Sequence, residues 1–253
     1  MNLALDVENL TLRFNSFVAV NKVSMAVEAG SRRAIIGPNG AGKTSFVHAL
    51  TGAIAASAGT VRICGADATG LSQAARVHRG LARTFQINQL FAGLTVLENV
   101  LIAVTERDGR AGIFWRALAA ERRAIEEARG LVDLVGLGAR AGDPVSALPY
   151  GMRRLVEIAI ALATRPKVLI LDEPAAGVPT TQSEAIFERI AALPRELTVL
   201  FIEHDMNLVF RFAERITVLV AGEVLTEGTP GEISRDERVR EVYLGRRGHH
   251  AAA

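Results

Sequence analysis

Cysteine is almost absent from this 253-residue chain, and so is an excess of either charge. Cys64 is the single thiol, which excludes an intrachain disulfide or a thiolate zinc cluster and makes a reducing cell interior the expected compartment. The 29 Lys and Arg residues stand against 27 Asp and Glu, for a formal net charge of +2. So even a balance gives no broad pull toward a phosphate backbone, and no nucleic acid is expected as partner. Long hydrophobic runs are missing too, because charged residues interrupt every apolar stretch well short of the ~18 residues that cross a bilayer. Residues 1–10 lack the basic and apolar segments of a secretory leader. The chain is therefore expected neither to be secreted nor to enter a membrane by itself. No internal repeat or low-complexity linker divides it. What it has in quantity is apolar side chains, 49% of the total, enough core for one large domain or two small ones.

Residues 3–13 and 22–28 cluster Val, Leu, Phe and Thr around an Asn15-Ser16 turn signal, a pattern for two antiparallel strands, with 61–64 as a third. Residues 33–36 form a short apolar run that ends in glycine, and Phe46, Val47 and Leu50 beyond it follow helical spacing. The runs 168–171, 199–202 and 216–220 are almost wholly apolar, as in strands buried on both faces of a parallel sheet. Ile186, Ile190 and Leu193 mark a helix closed by Pro194. Between about 71 and 164 the chain carries Ala-rich helical patterns studded with Arg and Glu, such as 115–131, and no run that resembles a buried strand. It reads as a helical subdomain inserted into an α/β core. The end, 246–253, with His249 and His250, reads as a frayed tail rather than a metal site.

Gly37-Pro38-Asn39-Gly40-Ala41-Gly42-Lys43-Thr44 fits G-x-x-x-x-G-K-[ST] and lies between an expected strand and an expected helix. Glycines let successive backbone N–H groups converge on phosphate oxygens, and the helix that follows presents its positive end to the anion. Lys43 adds a charge at the β- and γ-phosphates and Thr44 an oxygen for Mg2+, with Ser45 next in line. The run 168–171 delivers Asp172 and Glu173 at a strand's carboxyl end, where ligands of open α/β sheets gather. Asp172 suits the metal and Glu173 the attacking water. Either acid alone is an ordinary solvated charge. With the phosphate loop, the pair describes phosphoryl transfer.

With these residues in place, the chain resembles the nucleotide-binding subunits of ATP-binding cassette (ABC) transporters from about residue 3 to residue 245. In the family's order come the phosphate loop at 37–44, Gln86 in Arg83-Thr84-Phe85-Gln86, a signature segment Leu148-Pro149-Tyr150-Gly151-Met152, the Asp172-Glu173 pair, and His204 after the strand 199–202. The resemblance implies a P-loop NTPase core with a mainly parallel sheet, an N-terminal antiparallel β subdomain and an inserted helical subdomain. It implies ATP and Mg2+ as cofactors and a single ATPase domain over 1–245, with the core at about 1–70 and 165–245. It also implies that Phe14 stacks on adenine, that Gln86 binds Mg2+ and couples nucleotide state to the helical part, and that His204 reaches the γ-phosphate.

The signature departs from the family's common Leu-Ser-Gly-Gly-Gln: Pro149, Tyr150 and Met152 replace the serine, the first glycine and the glutamine. Gly151 is expected to supply the backbone contact that remains, at the head of a helix beginning near Met152, with Arg153 and Arg154 close by. The segment 175–179, Ala-Ala-Gly-Val-Pro, has no carboxylate where the family often carries one, so contacts there are expected to run through backbone. Ala-Arg-Thr-Phe-Gln at 82–86, Leu-Thr-Val-Leu-Glu-Asn-Val at 94–100, Leu-Pro-Tyr-Gly in the signature and Tyr-Leu-Gly at 243–245 are similar to the ATPases of branched-chain amino acid importers, with 105–129 similar to the longer-insert member of the ATPase pair.

That resemblance implies a subunit on the cytoplasmic face of the cell membrane. It would work as a homodimer or beside a sister ATPase, with two membrane-spanning permease subunits and, indirectly, a solute-binding protein. Urea, short amides or aromatic acids are alternative solutes. A non-transport ABC ATPase, a small-molecule P-loop kinase and a regulatory nucleotide binder are the alternatives of other classes. A kinase leaves the signature segment and His204 without a role.

Overall fold

The computed structural model describes residues 2–84, 90–109 and 118–244. Strands β1 (Leu3–Phe14) and β2 (Phe17–Glu28) pair antiparallel around the Asn15–Ser16 turn, with Asn15 at φ +53, a left-handed conformation that asparagine tolerates better than most residues. With β3 (Arg32–Ile36) passing to a second sheet, β4 (Ala58–Ile63) and β5 (Ala66–Asp67) complete a four-stranded antiparallel sheet in the order β2-β1-β4-β5.

The second sheet adds β6 (Leu81–Arg83), β7 (Val168–Asp172), β8 (Thr198–Ile202), β9 (Arg215–Val220) and β10 (Glu223–Gly228) to β3, in the order β10-β9-β3-β8-β7-β6. Every neighbouring pair is parallel except β10 with β9. Both faces are buried, which explains the unbroken apolar runs. Ile35, Ile170, Leu200 and Ile202 turn toward the first sheet, and helix α1 (Lys43–Thr51) contributes Phe46, Val47, Ala49 and Leu50 to that core. Their chain neighbours Ala34, Ile36, Leu169, Leu171, Val199 and Phe201 turn the other way.

Residues 71–164 were expected to hold no strand, and this is corrected: α2 (Gln73–His78) leads into β6, which pairs with β7 at the sheet's edge. Three residues ending in an arginine are too few to show a period of two, so nothing in the chain pattern marks β6. The helical segment comes after it. Helices α3 (Val96–Arg107), α4 (Leu118–Leu134) and α5 (Tyr150–Ala163) pack on one another. α3 opens with a capping box, in which Thr95 accepts from the Glu98 N–H and Glu98 from the Thr95 N–H. Glu127 in α4 binds Arg107 of α3 at 2.6 Å and Arg165 beyond α5 at 2.8 Å, while Arg107 also donates to the Ala163 carbonyl. One carboxylate thus ties the three helices at one end. Helices α6 (Thr180–Ala191), α7 (Met206–Phe212), α8 (Pro230–Arg235) and α9 (Glu237–Leu244) follow among the described residues.

Candidate active site

The strand β3 ends in the glycine loop, and α1 starts at its far side with Gly42 as N-cap. Gly42 has φ +93, and a β-carbon there would fall 2.5 Å from the Ala19 carbonyl oxygen, so both conformation and space demand glycine. Gly40, at φ +81, needs glycine for its conformation alone. The Ala41 N–H donates to Pro38 at 3.1 Å and the Gly222 N–H to Ala41 at 3.0 Å, which anchors the loop to the β9–β10 turn. Lys43 Nζ lies within the loop and donates to the carbonyls of Gly37 at 2.7 Å and Pro38 at 3.1 Å. Burial lowers its pKa, and the carboxylates of Glu173 and Asp172 pull it back up. Gly37 is buried, whereas Asn39 and Thr44 are exposed and Ser45 is half-buried.

Asp172 closes β7, and Arg83 at the end of neighbouring β6 donates to its Oδ2 at 2.5 Å. Arg83 also bears on His48 of α1, whose pKa is lowered first by burial and then by that guanidinium. Glu173 stands at φ +48, an uncommon conformation for a non-glycine residue. Strain of about 1–3 kcal/mol of this kind persists only where surrounding bonds fix the backbone. Here the Glu173 N–H donates to the Ile202 carbonyl at 3.0 Å. His204 follows β8 with its imidazole largely exposed. The phosphate loop, the acidic pair and the histidine therefore leave three adjacent parallel strands at one edge of the sheet.

The remaining sequence candidates are dispersed. Phe14 ends β1 at the hairpin tip, 44% exposed, opposite Phe17. Gln86 lies outside the described residues, as does the tail 246–253. Gly151 occupies the first turn of α5, which begins at Tyr150, near Met152 as expected. A β-carbon on Gly151 would lie 3.2 Å from Gln182 Oε1 of α6 and 3.4 Å from Val178 Cγ1, so the helix head packs closely there.

Arg153 and Arg154, expected close to Gly151, make bonds within their own chain. Arg153 donates to the carbonyls of Leu148 and Ser146, and Arg154 donates to Glu157 at 3.1 Å and the Tyr150 hydroxyl at 3.2 Å. Side chains of a first turn point back toward the helix start, and here they satisfy groups of their own chain. The guanidinium of Arg154 also stacks 5.4 Å from the Tyr150 ring centroid.

Four residues near the site were not singled out from sequence. Arg83 was quoted only as part of a motif, and its pairing with Asp172 spans two strands. Tyr150 was noted as a replacement, yet its ring covers Gly177: a β-carbon there would lie 3.5 Å from it. Tyr243 of α9 comes near Gly37 of the phosphate loop, and burial pushes its phenol up to about 12, with its hydroxyl making no hydrogen bond among the described residues. Glu203, next to His204, is 2% exposed. The one sequence signal for it is an acid directly after a fully apolar strand.

Residues 20–176 match the ABC transporter family, and residues 223–249 match the family described as branched-chain amino acid ATP-binding cassette transporter. The chain is 39% identical over 248 residues to the high-affinity branched-chain amino acid transport ATP-binding protein BraF of Pseudomonas aeruginosa, covering 95% of this chain and 97% of that protein. It is 36% identical over 249 residues to the corresponding protein LivG of Escherichia coli K12, with the same coverage of 95% and 97%. Among solved structures, a nucleotide-free ATP-binding cassette from an ABC transporter superposes with a TM-score of 0.84 at 31% identity, over 96% of this chain and 99% of that one. Another ABC transporter cassette, in its ADP conformation, gives 0.83 at 29% identity over 97% and 99%.

Proposed function

The chain belongs to the ABC transporter ATP-binding family, and on that premise we propose that it is the ATP-hydrolysing subunit of an importer for branched-chain amino acids or related small solutes. One observation carries the reading: Lys43, Asp172 with Glu173, and His204 follow the neighbouring parallel strands β3, β7 and β8. The carboxyl edge of such a sheet is where ligands bind. Backbone N–H groups of Gly37, Asn39, Gly40, Ala41 and Gly42 receive the phosphates, with Lys43, Thr44 and Ser45 at the helix head. Phe14 stacks on the adenine. The donor set fits Mg2+, since the exposed Thr44 hydroxyl and the partly exposed Asp172 carboxylate are hard oxygen ligands; Gln86 is the third proposed ligand. When bound, Mg2+ neutralises charge on the transferring phosphoryl group. Glu173 takes the proton of the attacking water, a role worth about 10²–10⁴ in rate, and His204 donates to the γ-phosphate oxygens.

Residues 1–245 act as one ATPase domain, whose helical part carries motion to two permease subunits. Gly151 and the head of α5 complete the ATP site of a second ATPase, head to tail, an identical chain or a sister subunit. The assembly sits on the cytoplasmic face of the membrane and serves a solute-binding protein indirectly. Among the described residues no helix is long and apolar enough to cross a membrane, which supports peripheral attachment through the permease. The branched-chain solute rests on the relatives named above and on the match over 223–249. Glu173→Gln should hold ATP in a closed dimer while turnover drops about 100-fold or more. Near-normal turnover by that variant would contradict the assignment of the base.

A further inference from the structure

The loop 175–179 has no acid of its own, and β8 lends it one. Glu203, the residue between β8 and His204, has a side chain 1% exposed, and among the described residues it makes no ion pair with Lys or Arg. Its Oε1 accepts from the Ala175 N–H at 3.1 Å and its Oε2 from the His204 N–H at 3.1 Å. The His204 Nδ1 lies 3.7 Å from Oε2. Burial raises the Glu203 pKa, and the amides of Ala175, His204 and Asp205 oppose that rise. A charge sealed away from water without a cation is costly unless its oxygens are hydrogen-bonded, so this carboxylate is held by backbone N–H groups.

The bonds have a direct geometric consequence. Glu173 is bracketed, its own N–H on the Ile202 carbonyl and the N–H two residues later on Glu203. His204 hangs from the same carboxylate. We infer that Glu203 is a positioning residue whose two oxygens fix the Glu173 turn and the His204 loop relative to each other, so that general base and phosphate-sensing histidine move as one unit. This rests on the roles proposed above for Glu173 and His204.

Glutamine keeps the shape of the side chain but has a single acceptor oxygen, so Glu203→Gln severs one link and sets its amide against an N–H donor. Aspartate keeps both oxygens but is one methylene too short to reach both amides. The test uses the full chain assembled with its permease and partner ATPase, reading kcat, KM for ATP, binding of a fluorescent ATP analogue, and Tm, with Glu173→Gln and His204→Ala alongside. Misplaced reacting groups lose about 10- to 100-fold in rate, so kcat of Glu203→Gln and Glu203→Asp should fall in that range while KM, analogue binding and Tm hold near wild type. Adding Glu203→Gln to His204→Ala should cost less than the product of the two single losses.

If Glu203→Gln keeps kcat within about twofold of wild type while the other two variants are dead, the positioning role is overturned and the site assignment stands. Losses that multiply in the double variant, or that track a fall in analogue binding and Tm, overturn it as well. If Glu173→Gln and His204→Ala themselves turn over normally, it is the parent reading that fails.

Discussion

Glu157 is packed inside α5 with one oxygen on Arg154 and the other, Oε1, without a hydrogen bond. Desolvation pushes its pKa up to about 7, against the pull of Arg154. An acid whose folded pKa is raised binds more protons in the folded state, so its contribution to stability declines as pH rises from about 4.5 to about 7. Thermal unfolding should accordingly show Glu157→Gln gaining stability relative to wild type across that interval, and a constant difference above it. A difference independent of pH would place the proton elsewhere. Residues of this kind are illegible in sequence, because their chemistry depends on what covers them. The setting of Lys43 follows from local sequence for the opposite reason: the carbonyls it bonds, Gly37 and Pro38, lie on the same loop. Glu203 bonds Ala175, 28 residues upstream, and no local pattern announces that contact.

At the scale of elements, the strand runs 168–171, 199–202 and 216–220 could be read because burial on both faces leaves them apolar apart from the buried Thr217. β6 could not, since its strand character comes from β7 beside it. The inward turn of Arg153 and Arg154 was hidden too, since it depends on carbonyls freed by the bend before α5 and on the acid one turn further along the helix. Between α3, α4 and α5 the joining element is Glu127, whose pKa is held down at about 2, chiefly by hydrogen bonding to Arg107 and then by Arg165. An acid with a depressed folded pKa stabilises the fold above its unfolded value and loses that contribution as pH falls. Glu127→Gln should therefore lower Tm at neutral pH, with the deficit shrinking between about pH 4.5 and about pH 2. A deficit that persists undiminished at the acid end would mean the clamp acts by packing rather than by charge.

For the whole molecule, the phosphate loop at the end of β3 and the signature at the head of α5 belong to different parts of the chain, which makes sense if each serves a different ATP. Moving an open–closed balance from 1:99 to 99:1 requires about 5.5 kcal/mol of differential binding, or roughly 2.7 for each of two nucleotides. That amount is within reach of a γ-phosphate gaining charge-assisted hydrogen bonds. In the proposed cycle hydrolysis reopens the pair, and α3–α5 pass the displacement to the permease. The measurement that tests this most directly is ATP turnover by single chains tethered too far apart to meet, set against turnover by the same chains in the assembled transporter. Shared sites predict that isolation abolishes hydrolysis while nucleotide binding persists; isolated chains hydrolysing ATP at the rate of the full assembly would contradict it.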